Sequence, residues 1–399
     1  MNLLAQEIKR EMIETGPIRF SRFMELALYA PGLGYYEKQT EIGRRGDFYT
    51  SVSVGNLFGS LLARQFADWL EQEGECQNRA QLVEVGAHGG QLAADILSWL
   101  RDRTPRLFSR LEYWLVEPSP VRRAWQETVL REFVPKVRWT DDLRQFTAAG
   151  QGIRGILFSN ELLDAMPVHR LRWNAASLSW HEWLVGIDLK SPPCGADLWS
   201  AGSRCLRLRG RQLTLEDACI DSAPTRFEWR TGPLGADIAG FAPQIPRELA
   251  AVLPDGFTTE ISPAASSWWR EAARSLADGV LMTLDYGMCG DEFLVPERRA
   301  GTVRAYLRHR VSADVLNSPG EQDITAHVNF SALQQTGESE GLKTVRLATQ
   351  RSLLTDVFER VVKRPEDFQP WTPSAIRQFQ TLTHPEHLGR SFKVLIQRR

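Results

Sequence analysis

The apolar positions of this chain switch between two periods, most sharply across residues 81–100. Residues 82–85 form a short, mostly apolar run of strand length. A cluster of small residues follows, Gly86-Ala87-His88-Gly89-Gly90, after which Leu92, Ala93, Ile96, Leu97 and Leu100 recur at helical spacing. Strand, tight turn and amphipathic helix in that order predict the opening unit of a nucleotide-binding α/β sheet. Glycine lets backbone approach a ligand where a Cβ would collide, and the free N–H groups of a helix start favour anions. His88 stands where the dinucleotide G-x-G-x-x-G fingerprint has its second glycine, so that fingerprint is not matched.

Upstream, residues 2–14 predict a helix stopped at Gly16-Pro17. Ser21 is placed to cap a second helix with Phe23, Met24, Ala27 and Leu28 as its buried stripe. An irregular loop rich in Gly and aromatics follows from Ala30, then a helix over residues 57–71. Downstream, strands alternate with helices as a mostly parallel sheet requires. They end at Glu117, at Asp141-Asp142 and at Asn160-Glu161, and a later apolar run ends at Asp285. Roughly a hundred residues between the fourth and fifth core strands break the alternation and predict hairpins, in residues 168–185 and 206–217. Helices are expected near residues 243–253 and 266–279. Two β-rich runs, residues 342–354 and 391–399, predict a closing antiparallel edge. The expected division is an N-terminal helical region with a covering loop (1–75), a core (76–167 and 254–399) and a β-rich insertion or lid (168–253).

Composition narrows the picture. In 399 residues, 43% are apolar and 24% charged, enough for a substantial core. The net charge of −1 argues against a dedicated nucleic-acid binder. Five scattered cysteines without a C-x-x-C pair fit reduced thiols, and no metal site is expected. No segment has the roughly 20 apolar residues of a membrane helix, so no membrane insertion is expected. The acidic N-terminus lacks the marks of a signal or transit peptide, and the expected location is cytoplasmic.

Candidate chemistry gathers at the strand ends, where open α/β sheets bind ligands. Glu117, one helix and one strand after the Gly turn, is placed to accept both hydroxyls of a ribose; it reads equally as a solvated strand-end carboxylate. Asp142 is a candidate for an adenine ring, or an N-cap for the next helix. Asn160 and Glu161 end a buried strand, where an amide and a carboxylate can bind a nucleophilic nitrogen. An unpaired buried carboxylate is costly, and a cationic substrate relieves that cost. Asp164 lies one turn further on. His88 sits in the central turn, either catalytic or with its side chain directed away from ligand. His309, His327 and Asp323 make no metal motif, and of the two histidines His309 is the better site candidate. Trp173, Trp180, Trp183, Trp268 and Trp269 read first as core or lid packing.

Several segments in order, FMELALYAPGLGYY, GDFYTS, EVGAHGGQLAADIL, SNELLDAMPV, LDYG and GTVRAY followed by PGEQDITAHVNF, make the chain resemble the MidA-type S-adenosylmethionine (SAM)-dependent methyltransferases. That family includes a mitochondrial complex I assembly factor that is a protein arginine methyltransferase. The resemblance implies an α/β class I methyltransferase fold, Rossmann-like, with an insertion over the cofactor site, SAM as cofactor, and methylation of a protein arginine. Carried over by motif, Glu84, Gly86 and Gly90 belong to the cofactor turn, Glu117 to the ribose, and Gly46, Asp47 and Thr50 to a closing N-terminal loop. Asn160 and Glu161 match the motif beside the transferred methyl group. His88 and Gly89 depart from the family's turn, and Val52-Ser53 from its Pro-Glu.

The expected cofactor set is therefore Gly46, Asp47, Thr50, Glu84, Gly86, His88, Gly90, Glu117, Asp142 and Asn160. The expected catalytic set is Asn160, Glu161, Asp164 and His309. Expected partners are a protein substrate, such as a respiratory complex I subunit, and a second copy of the chain in a homodimer. A non-catalytic assembly chaperone or binding scaffold is the alternative, motivated by the altered turn. A nicotinamide-dependent oxidoreductase fits the fold class only.

Overall fold

A computed structural model describes residues 2–38, 50–72, 79–148, 150, 152–188, 207–208, 211–212, 226–307, 310–312 and 314–399. Gly46, Asp47 and His309 lie outside the described residues. The N-terminal segment forms helices α1 (Leu3–Thr15), α2 (Phe20–Tyr29), α3 (Tyr35–Lys38) and α4 (Leu57–Gln72). Asn2 caps α1 by accepting from the Ala5 N–H, and Gly16, at φ +83°, ends it. Helix α2 starts two residues earlier than a Ser21 cap would set it, with Arg19 at the N-cap position. Ile18 and Arg19 pair as a short strand with Val185 and Leu184, and the helix begins at the buried Phe20, so Ser21 lies inside the helix and caps nothing.

The core runs β1 (Ala80–Val85), α5 (Gln91–Arg103), β2 (Leu111–Val116), α6 (Pro120–Val129), β3 (Val137–Thr140) and β4 (Ile153–Asn160). The insertion then contributes β5 (His169–Asn174), β6 (Ser179–Ile187) and β7 (Phe227–Pro233), followed by β8 (Thr258–Ile261). The core resumes with α7 (Pro263–Ser275), β9 (Leu276–Met288), a hairpin of β10 (Arg304–Leu307) and β11 (Arg310–Ser312), and β12 (Asp323–Thr325). It closes with α8 (Phe330–Ser339), β13 (Lys343–Thr349), α9 (Gln350–Lys363), α10 (Pro373–Thr383) and β14 (Phe392–Arg398).

The main sheet has the order β13-β14-β9-β4-β1-β2-β3, with β14 antiparallel to both neighbours and the others parallel. Residues 350–354 continue as helix α9, because Thr349 caps it through the Ser352 N–H. The β-rich reading of that stretch is thereby corrected. From β1 the chain steps outward to β2 and β3, then crosses back to β4 on the other side. That reversal leaves a crevice at the carboxyl ends of β1 and β4, the position where such sheets bind ligands.

Both faces are covered. Leu61 and Phe66 of α4 pack with Ile96 and Leu100 of α5 on one side, with Phe66 set 4.9 Å from Phe158 of β4. Trp269, Ala272 and Ala273 of α7 pack with Leu333 of α8 on the other. Trp269 is wholly buried, and its indole N–H donates to Gln397 at 2.9 Å.

The smaller sheet is antiparallel: β6 pairs with β5, β7 and Ile18–Arg19, and β5 pairs with β8. It therefore draws strands from outside residues 168–253. Trp173 and Trp180 meet edge to face at 5.1 Å, Trp183 meets Trp229 at 6.0 Å, and Arg170 lies over Trp229. Most of the insertion's tryptophans are thus used in packing.

Candidate active site

A cavity of about 360 Å³ opens at the β1/β4 crevice. Its floor is the turn after β1. Gly86 has φ +79° and Gly90 +84°, and His88 itself adopts +45°. A non-glycine residue held there costs roughly 1–2 kcal/mol, so packing must hold it. The His88 ring sits between Trp125 and Tyr36, at 5.7 and 6.4 Å. Its carbonyl accepts from Gln126 Nε2 at 2.9 Å. Gly86 and His88 line the cavity, whereas Gly90 caps α5 beneath it, where a Cβ would press on Gln126 and Leu130. Glu84 is not among the lining residues. It points into the core, where the Tyr113 hydroxyl donates to it at 2.5 Å and burial pushes its carboxyl up to about 7.

On one flank, Glu117 follows β2 directly and is almost wholly buried. One oxygen accepts from the Ser119 N–H and from Arg122 Nε, each at 2.9 Å; the other accepts from Gln126 Nε2 at 3.2 Å. Gln126 thus ties the Gly turn to this carboxylate. Asp142 also lines the cavity, yet it accepts from the Arg144 N–H at 2.8 Å and pairs with the Arg144 side chain, which brings its carboxyl down to about 2. Asp142 thus sits on the cavity wall with its carboxylate held by Arg144.

On the other flank the turn after β4 is held in an unusual shape. Glu161 has φ +51°, and Asp285 of β9 fixes the turn by accepting from the Leu162, Leu163 and Tyr286 N–H groups at 3.1, 2.8 and 2.8 Å. Strand β9 continues past Asp285 to Met288, so that carboxylate sits within the strand and supports the turn from behind. Glu161 accepts from the Ser51 N–H at 3.0 Å and from Asn160 Nδ2 at 3.2 Å. Asn160 Oδ1 is buried with no partner among the described residues.

Glu161, Asp164 and Asp323 line the cavity on this side, and desolvation is the largest influence on Glu161 and Asp164. It raises Glu161 to about 8, helped by Asp285 and Asp323. It raises Asp285 to about 7 and lifts Asp164 well above the usual range, with Asp285, Asp323 and Glu161 adding repulsion. Among the described residues no group of His, Cys, Asp and Glu is arranged to hold a metal ion. Carboxylates in this state favour a cation that arrives with its own hydrogen-bond donors.

Sequence reasoning missed the aromatic wall. Tyr29 and Tyr36 stack at 5.6 Å and line the cavity with Tyr35; Tyr29 donates to the Ala165 carbonyl and Tyr36 to Asp323, both at 2.9 Å. The LALY and GYY motifs carry these residues, but nothing in them gives contact with residues more than a hundred positions away. Ser51, 110 positions from Glu161, was missed for the same reason; Arg122 and Gln126, five and nine positions after Glu117, were missed because nothing in the helix pattern says which side chains turn back to the strand end. Thr50 lines the cavity, and Ser53 exchanges hydrogen bonds with it at 2.8–3.1 Å. His327 packs on Tyr286 at 4.3 Å outside this cavity, with burial bringing it down to about 4.

A sheet of this order, a Gly turn after β1, an acidic residue after β2 and an Asn-Glu pair after β4 are the arrangement that the resemblance to SAM-dependent methyltransferases implies. The residues fit that cofactor. The cavity offers carboxylates for its hydroxyls and positive charge and close backbone at Gly86; Asn160, whose buried oxygen has no partner among the described residues, is not among the lining residues.

Comparison with known proteins agrees. Residues 61–348 match the family described as "Putative S-adenosyl-L-methionine-dependent methyltransferase". A Burkholderia thailandensis protein solved with S-adenosyl-homocysteine bound superposes with a TM-score of 0.76 at 31% identity, covering 99% of this chain and 92% of that one. The mitochondrial protein arginine methyltransferase NDUFAF7 of Danio rerio is 25% identical over 98% of this chain and 85% of its own length. Its Homo sapiens counterpart is 24% identical over 95% and 79%. The chain belongs to the MidA-type SAM-dependent methyltransferase family. It is a methyltransferase, and S-adenosylmethionine is its cofactor.

The expected cytoplasmic location is corrected: the curated relatives are named mitochondrial. Cysteine usage without a disulfide-like pattern bears on redox conditions, and the cytosol is not the sole reducing compartment. Among the described residues no helix is long and apolar enough to cross a membrane.

Proposed function

We propose that this methyltransferase acts on an arginine side chain of a protein partner, with a subunit of respiratory complex I as the acceptor implied by the family resemblance. The observation that carries the reading is the set of carboxylates at one end of the cavity: Glu161, Asp164 and Asp323 on its wall, with Asp285 behind. Among the described residues no Lys, Arg or His forms an ion pair with Glu161, Asp164 or Asp285. A guanidinium supplies charge and a planar set of donors to such a site. The tyrosine faces of Tyr29 and Tyr36 suit a flat cation beside them. The relatives' names, protein arginine methyltransferase, support the same substrate class.

In this reading Glu117 receives the ribose hydroxyls, Asp142 lies toward the adenine, and Gly86 and His88 give close backbone. Thr50 and Ser51 close the N-terminal side. When bound, S-adenosylmethionine supplies a methyl on a positively charged sulfur. The chain's own residues orient the acceptor. Glu161, held by the Ser51 and Asn160 N–H groups, aims one nitrogen of the guanidinium into the cavity. Asp164 and Asp323 neutralise its charge. Arginine keeps its proton in water, with pKa above about 12, so a carboxylate must take the proton released on methylation. Glu161, raised to about 8, is matched to hold that proton near neutral pH.

The turn at His88 keeps the left-handed conformation that glycine would supply, and no specific observation favours a non-catalytic scaffold. The test is incubation with labelled S-adenosylmethionine and mitochondrial lysate from a source lacking this protein, with the labelled residue identified by mass spectrometry. Label on arginine is expected; label confined to another residue type or to a small molecule overturns the substrate reading.

A further inference from the structure

The fold treats its carboxylates unequally. Glu161, Asp164 and Asp285 have no ion-pair partner among the described residues, whereas Glu117 has Arg122. Arg122 stands in the first turn of α6, where Ser119 is the N-cap. Its Nε donates to Glu117 at 2.9 Å, and its Nη1 donates to Glu37 at 3.2 Å, a residue 85 positions earlier. The second Glu37 oxygen accepts from the Ser119 hydroxyl at 3.2 Å. The three side chains are 2%, 13% and 11% exposed for Glu117, Arg122 and Glu37, so solvent screens them little.

One planar guanidinium thus spans two carboxylates from distant elements. A lysine ammonium, a point charge, cannot hold both in that fixed fork. Glu37 belongs to α3, whose Tyr35 and Tyr36 line the cavity. Tyr36 in turn donates to Asp323 on the acceptor side and meets the His88 ring of the Gly turn. A continuous run of contacts therefore leads from Glu117, through Arg122, Glu37 and Tyr36, to Asp323.

We propose that Arg122 is a positioning residue whose bridge from Glu117 to Glu37 couples cofactor binding to closure of the tyrosine wall against the acceptor carboxylates. The inference rests on Glu117 as the ribose-binding carboxylate. A ligand that fixes Glu117 fixes Arg122, and Arg122 holds α3 in place. Without Arg122 the Glu117 and Glu37 carboxylates face each other with no intervening cation, and α3 loses its tie to α6.

The experiment titrates S-adenosylhomocysteine into full-length wild type, Glu37→Ala, Arg122→Ala, the double variant and Glu117→Ala. Hydrogen exchange of the residue 35–38 amides is followed with and without ligand. Coupling predicts that Arg122→Ala weakens binding by about tenfold, that Glu37→Ala weakens it by less, and that the double variant is no worse than Arg122→Ala alone. Ligand should protect residues 35–38 in wild type and fail to do so in either single variant. Multiplying losses in the double variant, or ligand-induced protection that survives both substitutions, overturns the bridge.

If Arg122→Ala does not fold by thermal melting, Arg122→Lys takes its place. It keeps the charge without the fork and should likewise abolish the ligand-induced protection; retained protection overturns the proposal. Unchanged affinity in Glu117→Ala overturns the ribose assignment itself, whereas weakened affinity there with no coupling elsewhere overturns the bridge alone.

Discussion

With an arginine held at Glu161 as proposed, the reaction should depend steeply on pH. Glu161 is raised from an ordinary 4.5 to about 8 by desolvation and by Asp285 and Asp323, and a guanidinium needs the ionised form. For one group at about 8, the ionised fraction is roughly 1% at pH 6 and roughly 90% at pH 9. The transfer rate at low acceptor concentration should therefore climb about tenfold per pH unit below 8 and level off above it, an overall rise of about ninety-fold. Asp285, raised to about 7, should steepen the lower limb.

The assay is methyl transfer from saturating labelled S-adenosylmethionine to dilute acceptor protein across pH 6–9. Glu161→Gln keeps the shape and removes the charge. Losing a charge-assisted hydrogen bond of about 1.5–3 kcal/mol should cost roughly ten- to a hundredfold, with the limb centred near 8 removed. A wild-type profile flat across this range, or a Glu161→Gln profile that keeps the wild-type limb, would refute the reasoning.

Three further outcomes are expected. Between about 4.5 and 8 the unfolded chain has released the Glu161 proton while the folded chain keeps it; raising pH across that window therefore favours unfolding. The melting temperature of the ligand-free protein should fall over that range, and Glu161→Gln should flatten the trend; a melting temperature that rises contradicts it. Glu117→Ala should weaken S-adenosylhomocysteine binding by calorimetry, whereas Glu161→Gln should bind normally and transfer poorly; equal losses of binding in both would undo that division of roles. Trp269→Ala removes a wholly buried side chain and its hydrogen bond to Gln397. It should cost about 3–5 kcal/mol in urea unfolding, and a loss under about 1 kcal/mol would mean that the α7 side of the core relaxes around the vacancy.

Much of the site was legible where chemistry and local structure share one short stretch. Gly86, Glu117, Asn160 and Glu161 each sit at the end of an apolar run, and an α/β sheet presents all such ends on one side. Glu84 was misplaced because a motif does not say which face of the strand a side chain takes; in the fold it meets Tyr113, away from the cavity. Ser21 was misread as a cap because pairing of Ile18–Arg19 with β6, a contact across more than 160 residues, sets where α2 begins. The compartment was misjudged because cysteine usage reports redox conditions and not an address.

By itself, the sequence determined the alternating core, the Gly turn and the strand-end carboxylates, since each follows from periodicity and conformational freedom over a few residues. Only the tertiary structure decided which carboxylates share a cavity, that Arg122 compensates Glu117 while Glu161, Asp164 and Asp285 are left to desolvation, and that Tyr29, Tyr36 and Ser51 close the site. Apart from the Arg122–Glu117 pair, which lies within one segment, those outcomes depend on burial and hydrogen bonding between segments far apart in the chain, and local sequence encodes none of these until the sheet brings the segments together.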